Sequence, residues 1–187
     1  MKTTIQRTLL LSALTQALPF VSTRTTLPIL ACVLLAARDG ELTLTVTDLD
    51  NTLEFRIAAD VSEPGTVCIP ALTLRKAVAA MKDGTIALDG IAPRHGAPCD
   101  GFLRGEGTTI MLAGHDPDSF PLFPKPAEQS VPMDFADLCR RLRATQRFLS
   151  TDETRYMLLG FHFHVADESL MTVTTDGRRL MRIAVVP

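Results

Sequence analysis

The chain has 187 residues, 46% of them hydrophobic and 21% charged, with a formal net charge of −2 and an isoelectric point near 6.1. That composition supplies a core and excludes a disordered chain. The near-neutral balance excludes bulk electrostatics as a route to nucleic acid or membrane, so any basic surface must come from local segregation of charge.

Lys2 and Arg7 precede "TLLLSALTQALPFVS", which superficially resembles a secretory leader. Its apolar residues recur at Leu10, Ala13, Leu14, Ala17 and Leu18, the spacing of an amphipathic helix rather than of a uniform apolar segment. No run elsewhere is long and apolar enough to suggest a membrane-spanning helix. Strands are expected over 29–37, 42–47 and 53–59. A further strand over 66–69 leads through Pro70 into a helix over 72–82, with Leu74, Ala77, Val78 and Met81 on one face and Asp83-Gly84 as its stop. Three more strands are expected over 85–88, 101–104 and 108–113. The Gly- and Pro-rich stretch "GIAPRHGAPCDG" between the first two reads as an exposed, mobile loop.

The proline-rich connector "FPLFPKPAEQSVP" (120–132) marks a boundary between a domain over 1–123 and a second over 124–187. The second begins with a strand over 131–133 and a helix over 134–147, with Asp134 as its N-cap and Phe135, Leu138, Cys139 and Leu142 as its apolar stripe. Strands over 157–165, 170–174 and 180–186 follow, with turns at 166–169 and at Asp176-Gly177. The architecture is α+β: repeated β-α-β-β-β units, helices packed on antiparallel sheets, two units in the first domain and one in the second.

A single ungapped shift of 128 positions superposes the start of the chain on its end. Leu10 falls on Leu138, Leu14 on Leu142, Phe20 on Phe148, Leu30 on Leu158, Leu42 on Leu170, and Thr47-Asp48 on Thr175-Asp176. Repeated amphipathic patterning without common architecture is the competing explanation. Identical turn residues with no gap across helix, loop and strands argue against it. If the shift extends over the whole first domain, half of the second is missing, and a truncated chain is expected.

Cys32, Cys68, Cys99 and Cys139 include no CxxC pair and sit among apolar or small neighbours, so buried free thiols in a reducing cytoplasm are expected. Arg140, Arg141, Arg143 and Arg147 outnumber Asp134 and Asp137 on one helix, and Arg75, Lys76 and Lys82 face no acid on another. Charge alone favours dipole complementation and a solvated face over nucleic-acid binding. His162 and His164 share a strand face and could begin a metal site, with a small hydrolase as the corresponding function, but no third ligand has suitable spacing. "HDPDSF" (115–120) reads as a loop. With no P-loop, GxSxG, HExxH or GxGxxG, no catalytic set and no cofactor is indicated.

The stretches "TLPIL" (26–30), "LTLTVTDLD" (42–50), "DSFP" (118–121), "ETRYMLLG" (153–160) and "VTTDGRRL" (173–180) together resemble the bacterial sliding clamp family, the beta subunit of DNA polymerase III. The resemblance implies the DNA-clamp fold, here the N-terminal domain and the first half of the central one. It also implies a non-catalytic, cytoplasmic processivity factor with two subunits closed head to tail around duplex DNA. This chain is expected to be unable to close that ring alone. Sequence-independent contact with duplex is then expected from Arg24, Arg75, Lys76, Arg140, Arg141, Arg143 and Arg147, although Asp152 stands where the family often has a neutral polar contact. Leu158, Thr175, Gly177, Arg179 and Leu180 match part of a pocket into which polymerases, the clamp loader and repair proteins insert short peptides, with Arg178 in place of the usual His. Without the resemblance, the same residues are a hairpin turn and core. A stand-alone clamp-like adaptor binding DNA or protein without a ring is the alternative.

Overall fold

The computed structural model describes residues 1–22, 25–91, 99–121, 134–166 and 169–185. The chain divides into two compact units, Met1–Pro124 and Lys125–Pro187.

In the first unit, β1 (Lys2–Gln6) runs directly into α1 (Arg7–Ala17) and a 3-10 turn (Leu18–Phe20). A second 3-10 turn (Pro28–Ala31) precedes β2 (Cys32–Arg38), β3 (Glu41–Thr47), β4 (Thr52–Ala58) and β5 (Asp60–Glu63). The second half repeats the order: β6 (Gly65–Pro70), α2 (Ala71–Ala80), β7 (Thr85–Ile91), β8 (Asp100–Gly105) and β9 (Thr108–Ala113). Two antiparallel sheets result, ordered β4-β3-β2-β6 and β5-β1-β7-β8-β9. Each half therefore lends its first strand to the other's sheet: β6 pairs with β2, and β1 pairs with β7.

Period-two alternation puts Leu42, Leu44 and Val46 of β3 in the core, and helical spacing does the same for Leu10, Ala13, Leu14 and Ala17 of α1. Leu74, Ala77 and Val78 of α2 join the same core, as their spacing predicts. Gly90 and Gly101 are cross-strand partners. A Cβ at Gly90 would lie 2.0 Å from Val67 Cγ1, and one at Gly101 would lie 2.7 Å from Ile69 Cδ1. The glycine pair thus makes room for the inward side chains of β6.

The second unit comprises α3 (Phe135–Thr145), 3-10 turns at Gln146–Phe148 and Glu153–Leu158, and a sheet ordered β10 (His162–Ala166), β11 (Ser169–Thr175), β12 (Leu180–Val185). The 128-residue shift carries α1 onto α3, the turn after α1 onto the turn after α3, and β3 onto β11, end for end. Backbone bonds repeat as well. Leu18 N–H to Leu14 O becomes Gln146 to Leu142, and Ser22 to Leu30 (3.3 Å) becomes Ser150 to Leu158 (3.0 Å).

Several expectations need correcting. The strand expected at 29 begins at Cys32, because Pro28 opens a 3-10 turn. The strand expected at 157 likewise begins at His162, after a turn capped by the Asp152 carboxylate, which accepts from Thr154 N at 3.0 Å. Asp134 caps α3 as expected, accepting from Ala136 N at 2.9 Å, but Phe135 is exposed rather than part of a buried stripe, and Cys139 is half-buried. The short polar strand β5 has no alternating apolar pattern to reveal it. The mobile-loop expectation at 92–98, the expected strand over 131–133 and most of the proline-rich connector lie outside the described residues.

The two copies differ in their interiors. Thr145, Thr172 and Thr174 are fully buried where the first copy has Ala17, Leu44 and Val46. Thr174 Oγ1 donates to Thr145 O at 3.1 Å, whereas Thr172 Oγ1 is buried with no partner among the described residues.

Candidate nucleic-acid and peptide interface

The turn joining β11 to β12 is organised by two side chains. Thr175 Oγ1 accepts from Gly177 N at 3.0 Å and donates to Arg179 O at 2.6 Å. Asp176 Oδ1 accepts from Arg178 N at 2.9 Å and Arg179 N at 2.7 Å, while Oδ2 accepts from Arg179 Nε at 3.0 Å and Nη2 at 2.9 Å. The Arg179 backbone N–H, then that of Arg178, then the Arg179 guanidinium hold the Asp176 carboxyl well below the usual carboxylate range. The first copy repeats this pattern. Leu49 N donates to Thr47 Oγ1, which donates to Asn51 O, and Asp48 Oδ1 accepts from Asp50 N and Asn51 N. Position 177 is glycine at φ +86°, a left-handed conformation that costs an L-residue about 1–2 kcal/mol, and its counterpart Leu49 holds φ +79°.

Five residues singled out for a peptide groove thus fall into one neighbourhood. Thr175 and Leu180 are cross-strand partners at the end of the hairpin, with Leu180 exposed, and Gly177 and Arg179 form its turn. A Cβ built at Gly177 would lie 4.0 Å from Leu158 Cδ1, which places Leu158 beside the turn. The same Cβ would lie 3.0 Å from Arg155 Nη1, a neighbour that spacing did not single out although it sits within the ETRYMLLG stretch. The Arg179 guanidinium lies over the Phe148 ring at 5.6 Å, which fixes its direction. An open cleft of about 450 Å³ adjoins the turn, and Arg147, Arg155, Arg178 and Arg179 line it together with Asp152 and Asp176. Asp152 is already engaged as the cap of the 153–158 turn and in an ion pair with Arg155 at 3.6 Å, a structural reason for an acid at that position.

The basic residues of α3 divide by partner. Asp137 binds both Arg140 and Arg141, and they hold its carboxyl below the ordinary value, Arg140 first. Arg141 also donates to Ala184 O at 2.6 Å and so ties the helix to β12. Arg143 and Arg147 are exposed and make no ion pair among the described residues. Arg140 and Arg143 are i, i+3 neighbours on one face of α3, and Arg147 lies in the 3-10 turn that follows the helix. In α2, Lys76 is exposed, while Arg75 is half-buried with its Nε lacking a partner among the described residues. Arg24 lies outside the described residues.

The remaining candidates have structural roles or stay incomplete. His162 and His164 stack along β10 with ring centroids 5.4 Å apart. No cluster of three or more His, Cys, Asp or Glu that could hold a metal occurs among the described residues. In HDPDSF, His115 N donates to Cys68 O at 2.8 Å, and Asp116 caps the turn Pro117–Ser119. The cysteines are free thiols, and the fold gathers three that sequence separates: Cys68 N donates to Cys99 Sγ at 3.3 Å, and Cys32 and Cys68 share one buried cluster. The Cys32 contact and then burial push the Cys68 thiol up. No helix among the described residues is long and apolar enough to cross a membrane.

Comparison with known proteins places the sequence and the fold among relatives. The family of the DNA polymerase III beta subunit, N-terminal domain, matches residues 1–90. A beta sliding clamp of Caulobacter vibrioides is 32% identical over 196 residues, covering 96% of this chain and 49% of that protein. The Escherichia coli K12 beta sliding clamp is 33% identical over 183 residues, covering 96% and 48%. The solved structure of Caulobacter crescentus pol III beta superposes with a TM-score of 0.80 at 31% identity, covering 100% of this chain and 50% of the other. The chain thus spans about half the length of the curated relatives it matches. Through residues 1–90 and through its likeness to sliding clamps along almost its whole length, the chain belongs to the family of the DNA polymerase III beta subunit.

Proposed function

We propose that the chain is a non-catalytic, cytoplasmic clamp-type replication protein. It meets duplex DNA through arginines of α3 and docks short peptides of polymerase, clamp-loader or repair partners against the β11–β12 hairpin. The observation that carries the reading is Arg140 and Arg143 on a clamp-fold helix with Arg147 in the 3-10 turn that follows it, the last two free of any ion pair among the described residues. Such cations attract phosphates without reading bases, which suits sliding. Arg24, Arg75 and Lys76 are assigned to the same work, and Arg141 to holding α3 on its sheet. Leu158, Thr175, Gly177, Arg179 and Leu180 provide one wall of the peptide groove, an apolar strip beside a fixed guanidinium.

Fluorescence anisotropy with duplexes of unrelated sequence, titrated with salt, tests the DNA assignment. Affinity should be equal across sequences and log K should fall linearly with log salt. Arg143→Ala and Arg147→Ala should each reduce the slope by about 1. Binding that differs between sequences, or that ignores salt, defeats the reading. Equal loss from circular and linear DNA would show contact without encirclement, the behaviour of an adaptor; retention on circles alone would show a ring.

A further inference from the structure

We infer, on the DNA-binding reading proposed above, that Arg7 is a positioning residue for Arg75 and Lys76: it holds the C-terminal end of α2 from the first residue of α1. Arg7 opens α1 at the helix end whose partial positive charge disfavours a cation. Its guanidinium lies instead at the end of α2, where that sign is favoured. Nε donates to Val78 O at 3.0 Å, Nη2 donates to Ala79 O at 2.9 Å, and Nη1 pairs with the Asp83 carboxylate. The Arg7 backbone N–H adds a bond to Gly84 O at 2.9 Å. The Arg7 side chain is 15% exposed, so its guanidinium is occupied within the fold rather than offered to a phosphate.

α2 lacks end groups of its own. This ten-residue helix has no side-chain N-cap, no acid in its first turn and no base in its last, and a helix of that length is marginal without outside support. α3 is the contrast, with Asp134 as its cap, Asp137 in its first turn and Arg143 in its last. The final carbonyls of any helix have no partners along it, and Arg7 supplies donors to two of those in α2. Val78 and Ala79 lie three and four residues beyond Arg75, so the carbonyls that Arg7 holds close the turn on which Arg75 and exposed Lys76 stand. Where that turn frays, affinity for duplex falls with the fraction of molecules in which it is formed.

Salt-titrated fluorescence anisotropy of the 187-residue chain with one duplex, paired with amide exchange, tests this under conditions where β3 amides stay protected. Arg7→Met keeps the aliphatic stem and removes the donors; Arg7→Lys keeps the charge but not the planar fork. Both should speed exchange at 77–81 and weaken binding about threefold or more, as a turn formed about a third of the time requires. The slope of log K against log salt should stay at its wild-type value, whereas Lys76→Ala should reduce it by about 1. Asp83→Asn, which leaves both carbonyl bonds in place, should give a smaller loss of the same kind and carries the test if Arg7→Met does not fold. Faster exchange with unchanged affinity overturns the proposal, and so does unchanged exchange at 77–81. A slope that falls in Arg7→Met as in Lys76→Ala also overturns it, since Arg7 would then meet phosphate itself. A wild-type chain that ignores duplex while Arg7→Met still frays α2 defeats the DNA reading and leaves Arg7 a structural clasp.

Discussion

Replacing two buried threonines of β11 by valine should change stability in opposite directions. Thr172 and Thr174 both point inward, are 0% and 1% exposed, and differ in one respect: Thr174 Oγ1 donates to Thr145 O at 3.1 Å, whereas Thr172 Oγ1 meets no partner among the described residues. Leaving a buried hydroxyl unsatisfied costs about 1–3 kcal/mol, and exchanging it for a methyl adds roughly 0.8 kcal/mol of apolar burial. Thr172→Val should therefore stabilise the second unit by about 2 kcal/mol. Thr174→Val gains the same methyl but forfeits a bond worth about 0.5–1.5 kcal/mol net and removes a donor from Thr145 O, for a net loss of about 1 kcal/mol. Urea unfolding, followed by amide exchange of β11 and β12 so that the second unit is read separately, gives both values. If both variants destabilise, Thr172 is satisfied by an internal water and the reasoning fails; if both stabilise, the Thr174 bond contributes nothing.

The glycines give two further tests. Gly90→Ala would place its Cβ 2.0 Å from Val67 Cγ1 and should cost the first unit about 1–3 kcal/mol, read as a lower midpoint in thermal denaturation. Gly177→Ala puts a Cβ on a left-handed residue and should destabilise the hairpin by about 1 kcal/mol, measured by faster exchange of its amides, while Gly177→Asn is better tolerated. Acidification tests the turn itself. The folded-state value of Asp176 is depressed, so its contribution is present above the ordinary carboxylate range and lost as pH falls through the folded value. The Arg178 and Arg179 amides should therefore exchange faster in acid once intrinsic rates are corrected, and Asp176→Asn should remove that dependence.

Much of the fold was legible because its signals are local. Helical spacing in α1 and α2, alternation in β3, the Asp134 cap and the Thr-Asp turns are written in adjacent residues, and the 128-residue shift repeats them closely enough to expose the units. The strand starts at Cys32 and His162 were not, because a proline or a capping aspartate converts an apolar run into a 3-10 turn. The proposed peptide wall came from the family resemblance, since the residues alone read as a hairpin turn, whereas Arg155 beside Gly177 and Phe148 beneath Arg179 depend on where loops return in space.

Periodicity and turn chemistry act between near neighbours along the chain, and so the sequence by itself determined most of the order of elements, the repeat and the kinship to sliding clamps, but not the polar strand β5. Partner choice acts between residues far apart, and only the tertiary structure decided it. Arg141 is bound to Ala184 O while Arg143 makes no ion pair among the described residues, and Cys32, Cys68 and Cys99 converge. Identical spacing leads to these different outcomes because burial and pairing depend on what lies across the gap, which no stretch of sequence contains.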